Sequence, residues 1–400
     1  MDKIIIQNLV KIFGDKPEKA LAMLRQGSSK KDILAATGQA VGVADVSFSV
    51  AEGEIMVIMG LSGSGKSTLV RCVNRLIEPT SGKIRIDGQE VGALSERELT
   101  EFRRTKFGMV FQNFALLPHR TVAANVEFGL EIQGVPPAKR RERAMASLAQ
   151  VGLAGWEERR PGELSGGMQQ RVGLARALAL DPDILLMDEA FSALDPLIRR
   201  DMQDELLSLQ DTVKKTILFI THDLDEAVKL GDHIVLMKDG GLVQSGTAED
   251  ILTNPASRYV ERFVEDVDFS KVLSARSVML SPAVTALARH DGPRLALHKM
   301  AEAGISSLFV IGRDRRLEGM VTALDASQAA KKGDRSLEGV VRKVDKRVAP
   351  DASVQDVMPL LAADRDPVAV VDDANKLLGI IVQGSLLAAL VDKGRGENGI

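Results

Sequence analysis

The fold of this chain is decided by residues 57–68, which read VIMGLSGSGKST. The apolar run EIMVIMG (Glu54–Gly60) is typical of a buried strand that stops at glycine, and the residues after Ser67 have the apolar spacing of a helix. The pattern G-x-x-x-x-G-K-[ST] is met by Gly60, Gly65, Lys66 and Ser67. With a strand before the pattern and a helix after it, the stretch predicts a phosphate-binding loop, or P-loop.

The P-loop residues have separate tasks in holding a nucleotide. Glycines let backbone N–H groups converge on phosphate oxygens, and the N-terminus of the following helix adds a favourable dipole. Lys66 is expected to reach the β- and γ-phosphates, and the Ser67 hydroxyl is expected to ligate Mg²⁺. The predicted ATP-contacting residues of this loop are Gly60, Leu61, Ser62, Gly63, Ser64, Gly65, Lys66, Ser67 and Thr68.

A second part of the metal site is predicted where the apolar run DILLMDE (Asp183–Glu189) ends. Runs that are apolar on both faces suit buried parallel strands covered by helices. Asp188 is placed to hold Mg²⁺ through water, and Glu189 points differently and is predicted to polarise an attacking water as general base. These features indicate a nucleotide hydrolase, and they fit kinases, GTPases and helicases equally.

Composition narrows the class of protein. A chain of 400 residues exceeds what one core usually supports, so more than one domain is expected. The net charge of −3 argues against a general nucleic-acid binder. Cys72 is the only cysteine, which excludes an intrachain disulfide and favours a reducing compartment. No apolar run approaches the ~20 residues that span a bilayer, so a cytoplasmic chain is expected, with any membrane role requiring partner chains.

Residues 1–270 alternate short apolar runs with helical patterns, which predicts an α/β P-loop domain with a mixed sheet. Two short helices are predicted at Pro17–Gly27 and Ser28–Gly38, each closing on glycine. They form a helical insert at about 17–38. A helical subdomain is predicted at about 113–165.

The tail contains an internal repeat, in which Ala296–Val321 aligns with Asp356–Ile381 at a constant offset of 60. Each copy is predicted to run helix, strand, turn, strand and helix. A unit of this size does not bury its own sheet, so the two copies are expected to pack together as one small α/β domain. The predicted domain covers 274–395, with copies at about 274–330 and 340–390.

The stretch LSGGMQQ (Leu164–Gln170) resembles the signature motif of the ATP-binding-cassette (ABC) ATPases. Gln112 in VFQNF resembles the Q-loop glutamine of that family, and His222 in ITHD resembles its switch histidine. On these motifs the chain is identified as an ABC ATPase over roughly residues 4–263. The signature residues carried over are Leu164, Ser165, Gly166, Gly167 and Gln169, and SALD supplies the D-loop residues Ser192, Ala193, Leu194 and Asp195.

The resemblance implies a head-to-tail dimer in which each signature faces the nucleotide on the P-loop of the other copy. Ser165, Gly166 and Gly167 are then expected to contact the γ-phosphate held by the second copy. Small residues permit close approach of the backbone, and the N-terminus of the helix that follows favours anions.

The resemblance also implies roles within one chain. His222 is expected to contact the γ-phosphate and to couple to Glu189, and Gln112 is expected to touch the metal or water and relay the nucleotide state. The implied catalytic residues are Glu189, His222, Gln112 and Lys66, and the implied metal ligands are Ser67, Gln112 and Asp188. Residues 113–126 (NFALLPHRTVAANV) are the predicted surface for coupling helices of two transmembrane permease subunits.

A narrower resemblance concerns the kind of transporter. The phrase MDEAFSALDPLIR has Ala190 and Phe191 after the DE pair, whereas most importers of the family have proline two residues after the glutamate. With VIMGLSGSGKST, the insert and the paired repeat, this phrase resembles the ATPase of glycine betaine/proline-type quaternary-amine importers. That implies osmoprotectant import, an extracytoplasmic substrate-binding protein as an indirect partner, and a peripheral location at the cytoplasmic face of the inner membrane.

Other functions stay open at this stage. Import of another cargo, such as an amino acid or choline, fits the same motifs. ABC ATPases that act on DNA or ribosomes typically carry long coiled coils or two cassettes, whereas this chain has one P-loop. Phe13 in VKIFG stands where the family places an aromatic residue that stacks on adenine, with core packing as the alternative.

The tail repeat resembles a tandem pair of CBS modules, and adenosine-binding modules of that type carry the pattern G-h-x-T-x-x-D. The first copy has the threonine and aspartate as Thr322 and Asp325, and the second copy has Val382 and Ser385 instead. At most one adenosine site is therefore expected, and a purely structural pair is the alternative. The segment 331–347 holds seven basic and three acidic residues, which predicts either a solvated surface or a strip that meets anionic lipid and is released by salt.

Overall fold

The computed structural model of the chain describes residues 1–265, 273–282, 284–364 and 366–394. The chain divides into two compact units, Met1–Val264 and Glu265–Ile400, and each is described by itself. Among the described residues, no helix is both long and apolar enough to cross a membrane.

The first unit contains eleven α-helices within its described residues. They are α1 (Pro17–Arg25), α2 (Lys30–Thr37), α3 (Lys66–Val73), α4 (Glu96–Lys106), α5 (Val122–Ile132), α6 (Pro137–Gln150), α7 (Gly166–Leu178), α8 (Pro196–Val213), α9 (Leu224–Leu230), α10 (Ala248–Thr253) and α11 (Arg258–Val264). Its strands are β1 (Asp2–Phe13), β2 (Ala40–Ala51), β3 (Ile55–Met59), β4 (Ser81–Ile86), β5 (Gln89–Glu90), β6 (Phe107–Phe111), β7 (Ile184–Asp188), β8 (Thr216–Thr221), β9 (His233–Lys238) and β10 (Gly241–Gly246).

A six-stranded sheet of order β10-β9-β3-β8-β7-β6 positions the functional residues. All its neighbouring strands run parallel except the edge pair β9 and β10, which makes the sheet mixed. Strands β3 and β8 are buried along their whole length, as expected for apolar runs covered on both faces. Because parallel strands end at the same edge, the segments after β3, β6, β7 and β8 meet there.

A second, antiparallel sheet of order β2-β1-β4-β5 packs against this layer. One hydrophobic core joins the two sheets and includes Ile4, Val43, Leu69, Cys72 and Leu186. Cys72 is completely buried on α3, and burial raises the pKa of its thiol to about 12, so it serves as a small apolar side chain.

The helical insert consists of α1 and α2, within the span predicted for it. The Ser29 hydroxyl accepts a hydrogen bond from the Asp32 N–H and caps α2, which ends at Gly38 in the left-handed conformation. Both helices rest on β1 and β2 through a small separate core that includes Ala20 and Ile33. The insert is therefore an addition to the antiparallel sheet.

The helical subdomain is built from α5, α6 and α7. Helix α5 begins only at Val122, capped by the Thr121 hydroxyl, so residues 113–121 form a loop. Phe114 and Ala115 in this loop have positive φ angles of 55° and 49°.

The second unit repeats one small motif. Its elements are α12 (Ala275–Val278), β11 (Ala286–Leu287), α13 (Pro293–Ala303), β12 (Ser307–Ile311), β13 (Leu317–Thr322), α14 (Ala323–Lys332), β14 (Arg347–Val348), α15 (Val354–Ala363), β15 (Val368–Val371), β16 (Leu377–Ile381) and α16 (Gln383–Gly394). Val310 pairs with Gly319 in one sheet, and Val370 pairs with Gly379 in the other, so the offset of 60 is kept in the strand register. The sheets are β11-β12-β13 and β14-β15-β16.

The two copies share a core, as two incomplete units should. Phe309, Met320, Ala369 and Leu377 belong to one buried cluster that contains residues of both sheets. The short parallel strands β11 and β14 were not predicted, because two residues are too few to give an alternating pattern.

Candidate nucleotide-binding site

The P-loop lies between β3 and α3 and packs closely against the backbone of β2 and β9. Gly60 and Gly65 have φ angles of 145° and 102°, which side chains rarely adopt. A Cβ atom at Gly65 would lie 2.3 Å from the Gly42 carbonyl oxygen, and one at Gly60 would lie 2.2 Å from the Met237 carbonyl oxygen. Only glycine fits at these two positions, because the loop must pass directly beside β2 and β9.

Lys66 folds back onto the loop that carries it. Its Nζ donates to the carbonyl oxygens of Gly60 at 2.7 Å and Leu61 at 3.2 Å, and the residue is 5 % exposed. Burial lowers the pKa of the Lys66 ammonium, and the carboxylates of Glu189 and Asp188 oppose that shift. The ammonium thus lies within the loop, in the field of both acids.

Ser67 and Asp188 lie side by side, although they are far apart in sequence. The Ser67 hydroxyl donates to Asp188 Oδ1 at 2.9 Å, and Arg71 Nη2 lies 3.6 Å from Asp188 Oδ2. A hydroxyl and a carboxylate oxygen suit Mg²⁺, which takes few protein ligands and completes its shell with phosphate and water. The described residues contain no cluster of three or more His, Cys, Asp or Glu side chains that could hold a metal.

Glu189 is the point where three of the predicted catalytic residues meet. Its Oε2 lies 3.4 Å from Gln112 Nε2 and 3.4 Å from His222 Nδ1. The Glu189 backbone has a positive φ of 47°, and its N–H donates to the Ile220 carbonyl at 3.1 Å. The Glu189 carboxylate thus lies beside the residues that follow β6 and β8.

The signature segment is a helix N-terminus with an open face. The Ser165 hydroxyl caps α7 by accepting from the Met168 N–H at 3.3 Å, and Gln169 Nε2 donates to the Leu164 carbonyl at 3.2 Å. Ser165 and Gly166 are exposed. A ligand that approached this face would meet the positive end of a helix dipole.

The predicted D-loop lies shortly after Glu189 in the chain. The Ser192 hydroxyl donates to the Glu189 carbonyl at 2.9 Å, while Leu194 is buried and its N–H donates to the Phe191 carbonyl at 3.2 Å. Ala193 and Asp195 are exposed. The loop therefore turns tightly between β7 and α8.

Phe13 lies at the edge of the P-loop. Its ring is 42 % exposed, with Lys11 Nζ 5.2 Å from the ring centroid, so the alternative that Phe13 packs in the core is wrong. A Cβ atom at Gly42 would lie 2.7 Å from Phe13 Cε2 and 3.1 Å from Thr68 Cγ2. The ring thus lies beside the last residue of the loop, with the Lys11 ammonium over it.

Two arginines of this region were not predicted from the sequence. Arg71 stands four residues after Ser67 on α3, so helical spacing places it beside Ser67. Because the Ser67 hydroxyl bonds Asp188, Arg71 also lies near Asp188. Arg199 contacts the D-loop and the loop of His222, and its partners lie in segments that only the fold brings together.

In the tail, Thr322 and Asp325 are already engaged. Thr322 caps α14 and donates its hydroxyl to Asp325 Oδ2 at 2.7 Å, and Arg342 Nη2 lies 2.6 Å from Asp325 Oδ1. Burial alone would raise the pKa of Asp325, but the bonds from Thr322 and Arg342 outweigh it and hold that pKa below the ordinary value. In the second copy, the Ser385 hydroxyl bonds the backbone of Val382.

Comparison with known proteins follows the same division of the chain. The ABC transporter family model matches residues 43–192, and the CBS domain model matches residues 275–332 and 339–392. The glycine betaine/carnitine transport ATP-binding protein GbuA of Listeria monocytogenes is 57 % identical over 98 % of this chain and 98 % of its own length. The chain belongs to the ATP-binding subunits of ABC transporters. It is an ATPase.

Two further comparisons extend this likeness. The glycine betaine transport ATP-binding protein OpuAA of Bacillus subtilis is 54 % identical to this ABC ATPase over 97 % of the chain and 92 % of its own length. A dimeric post-hydrolysis structure of the ATP-binding cassette MJ0796 with ADP and Pi has a TM-score of 0.52 and 33 % identity, covering 61 % of this chain and 98 % of that one. The predicted α/β fold class, a P-loop ABC domain with a CBS pair, is confirmed.

Proposed function

We propose that this ABC ATPase powers the import of glycine betaine, proline or a related quaternary amine through partner membrane subunits. The observation that carries the proposal is the likeness to glycine betaine transport ATP-binding proteins, which runs through the P-loop unit and the tail alike. The permease subunits and an extracytoplasmic binding protein would hold the cargo. This chain would lie at the cytoplasmic face of the membrane and supply the ATP-driven step.

Uptake measurements test the cargo. Cells that lack their own osmoprotectant transporters would express this chain with the permease and binding-protein genes adjacent to it, and receive labelled glycine betaine, proline or choline. We expect glycine betaine to accumulate, and the Glu189→Gln variant to abolish accumulation. Uptake of choline or of an amino acid alone would change the assigned cargo, and ATP hydrolysis without uptake of any of them would contradict import.

The nucleotide chemistry within one chain follows from the site. Lys66 would leave the Gly60 and Leu61 carbonyls and turn its ammonium to the β- and γ-phosphates, while Phe13 would stack on adenine. Bound Mg²⁺ would neutralise charge on the phosphates, with Ser67, Asp188 and Gln112 as its protein ligands. Glu189 would accept a proton from the attacking water, held in place by its contact with His222.

The second half of each nucleotide site would come from another copy of the chain. The face formed by Ser165 and Gly166 is exposed, and it carries the helix dipole that suits a γ-phosphate. Closure of two copies on two ATP molecules, followed by hydrolysis and release, would give the movement that a permease needs.

A groove beside the Q-loop suits the coupling helices of the permease. It has a volume of about 280 Å³ and lies between β6, α5 and α7; its wall residues include Met109, Phe111, Phe128, Arg176 and Leu180. Arg176 donates to the carbonyl of Phe114 at 3.0 Å and to that of Ala115, so the loop after Gln112 forms part of the rim. An apolar groove with a rim next to the nucleotide contact is placed to receive an amphipathic helix.

The groove gives a prediction that separates docking from chemistry. Phe128→Glu places a charge in the apolar wall, so we expect the full chain alone to keep its ATPase rate within about twofold while pull-down by the permease subunits is lost. Met145→Glu is the matched control, because Met145 is a partly exposed residue of α6 outside the groove. Equal retention of both variants on the permease would contradict docking at this groove.

For the tail we propose a regulatory role, in which anionic lipid is the better-supported ligand. An adenosine ribose at Asp325 would have to displace Arg342, which lies 2.6 Å away. Within the predicted basic strip, Arg342 and Lys346 are held by Asp325 and Asp364, whereas Lys331 and Lys332 are exposed at the end of α14. Lys331 and Lys332, with the exposed Arg335 close by in the chain, are therefore the part of the strip that we expect to meet a membrane surface.

Reconstitution of the whole transporter in anionic liposomes tests this role. Salt screens charges at a surface, so we expect wild-type ATPase activity to rise with ionic strength and the double variant Lys331→Gln, Lys332→Gln to be active already at low salt. Thr322→Val serves as the adenosine control, because it removes a predicted adenosine contact and keeps the pair of Asp325 and Arg342, and it should leave the salt response intact. An unchanged salt response in the lysine variant would reject the lipid strip, and a response to added adenosine that Thr322→Val removes would establish the nucleotide ligand instead.

A further inference from the structure

We infer that Arg199 is a positioning residue that joins the surface offered to the second nucleotide to the hydrolytic carboxylate of its own chain. The inference rests on the proposed dimer and deepens it. Arg199 lies in the first turn of α8, four residues after Asp195 of the D-loop, and its side chain is half-buried.

On one side, the Arg199 guanidinium gathers the carbonyl groups of the D-loop. Nε donates to the Phe191 carbonyl at 3.2 Å, and Nη2 donates to the carbonyls of Ser192 at 3.3 Å and Leu194 at 3.2 Å. The Arg199 backbone N–H also donates to the Asp195 carbonyl at 2.8 Å. One residue therefore satisfies four backbone acceptors and determines the shape of this loop.

On the other side, the same guanidinium reaches the loop of the switch histidine. Arg199 Nη1 lies 3.3 Å from Asp223 Oδ2, and Asp223 follows His222 in the chain. Asp223 Oδ1 accepts from the Glu226 N–H at 3.2 Å, so this carboxylate also caps α9. Because both carboxylate oxygens of Asp223 are bonded, a shift of the Arg199 side chain would move Asp223 and with it the neighbouring His222.

A second contact ties α8 to the same loop one turn further on. Gln203 Nε2 donates to Glu226 Oε1 at 3.1 Å, and Glu226 Oε2 accepts from the Thr221 hydroxyl. Burial raises the pKa of Glu226 above its ordinary value, against the effect of these two bonds. Helix α8 and the end of β8 are thus fixed to each other where His222 begins.

The D-loop in turn rests on the signature segment. A Cβ atom at Gly166 would lie 3.8 Å from Leu194 Cδ2, and one at Gly167 would lie 2.5 Å from Ile198 Cγ2. The path runs from the signature segment, which packs closely on α8 where Gly167 faces Ile198, to Arg199 one residue further on, and from Arg199 through Asp223 to His222 and Glu189. When a second copy binds at the signature segment, this path would shift the position of the Glu189 carboxylate.

Arginine is suited to this task and lysine is not. A guanidinium presents five donors in one rigid plane, which serves three carbonyls and a carboxylate at once, whereas an ammonium presents three donors at a single point. Displacement of a catalytic group by about 1 Å can cost up to 100-fold in rate. The structure therefore predicts a loss of turnover without a loss of nucleotide affinity when Arg199 is replaced.

The test measures kcat, KM for ATP and Tm on the full chain. Arg199→Lys is expected to lower kcat by about tenfold or more and to leave KM within about threefold. Asp223→Asn is expected to lower kcat less than Arg199→Lys does. The double variant should lose less than the product of the single losses, because both substitutions remove the same contact between Arg199 and Asp223. Arg200→Lys, at the exposed neighbouring position, is the matched control and should behave as wild type.

Two outcomes would overturn the inference. Arg199→Lys with wild-type kcat would show that the connection is not needed. A fall in kcat with an equal rise in KM and a lower Tm would show a structural role only. The proposed function is judged separately, since glycine betaine uptake that Glu189→Gln abolishes upholds it whatever Arg199 does.

Discussion

The Glu189→Gln variant is expected to lose ATP hydrolysis by about 100-fold or more while its affinity for ATP stays close to that of the wild type. The amide cannot accept the proton of the attacking water, but it is nearly isosteric with the carboxylate. It therefore keeps the contacts at 3.4 Å with Gln112 and His222. Rates of phosphate release and titration with a fluorescent ATP analogue measure the two effects.

The control for this variant is Glu96→Gln, an exposed glutamate in the first turn of α4. It removes the same charge outside the site and should hydrolyse ATP at the wild-type rate. Full turnover in Glu189→Gln would remove Glu189 as the general base and leave Asp188 as the carboxylate nearest the phosphates.

Lys66→Ala is expected to lose ATP binding itself. Charge-assisted hydrogen bonds to phosphate are worth about 1.5–3 kcal/mol each, so the dissociation constant for ATP should rise by roughly 10- to 100-fold. Tm should change little, because the nearly buried Lys66 ammonium bonds only the carbonyls of Gly60 and Leu61, and truncation leaves no buried charge without a partner.

Lys19→Ala controls for the loss of a lysine, since Lys19 is exposed on α1. ATP binding to Lys66→Ala within about twofold of the wild type would show that the P-loop of this chain does not use its lysine on phosphate. Loss of binding together with a large fall in Tm would instead indicate that the loop has collapsed.

Much of the site could be predicted because buried parallel strands are simple patterns. Each apolar run ends in the residues that it delivers to the common edge, so Lys66, Asp188 and Glu189 were predicted from local sequence, whereas the role of His222 was predicted from the resemblance to the family. The pairing of Ser67 with Asp188 at 2.9 Å depends on the strand order of the sheet, in which β8 separates β3 from β7, and local sequence does not give that order.

The side-chain contacts that the sequence did not predict join segments that are far apart in the chain. The bonds of Arg199 join a loop and a helix start that have no common pattern, and the pairing of Asp325 with Arg342 occupies a carboxylate that the tail motif left free. Likewise, the sequence does not show that Asp364 lies beside Lys346 and reduces the positive charge of the basic strip. The fold brings charged side chains and carbonyl groups to their partners. Only the groups that stay without such a partner remain for a ligand.

The most direct measurement is the mass of the full-length Glu189→Gln chain by light scattering, with and without Mg²⁺ and ATP. We expect 43.1 kDa without nucleotide and about twice that mass with it, because each signature completes the site of the other copy. Adding Gly166→Asp should keep the chain folded, since an acid suits the first turn of α7 and a Cβ atom there would lie 3.8 Å from its nearest neighbours, an ordinary contact, yet it should repel the second γ-phosphate and restore the monomer. A monomer with ATP, or a dimer that Gly166→Asp leaves intact, would contradict a nucleotide site shared between two copies.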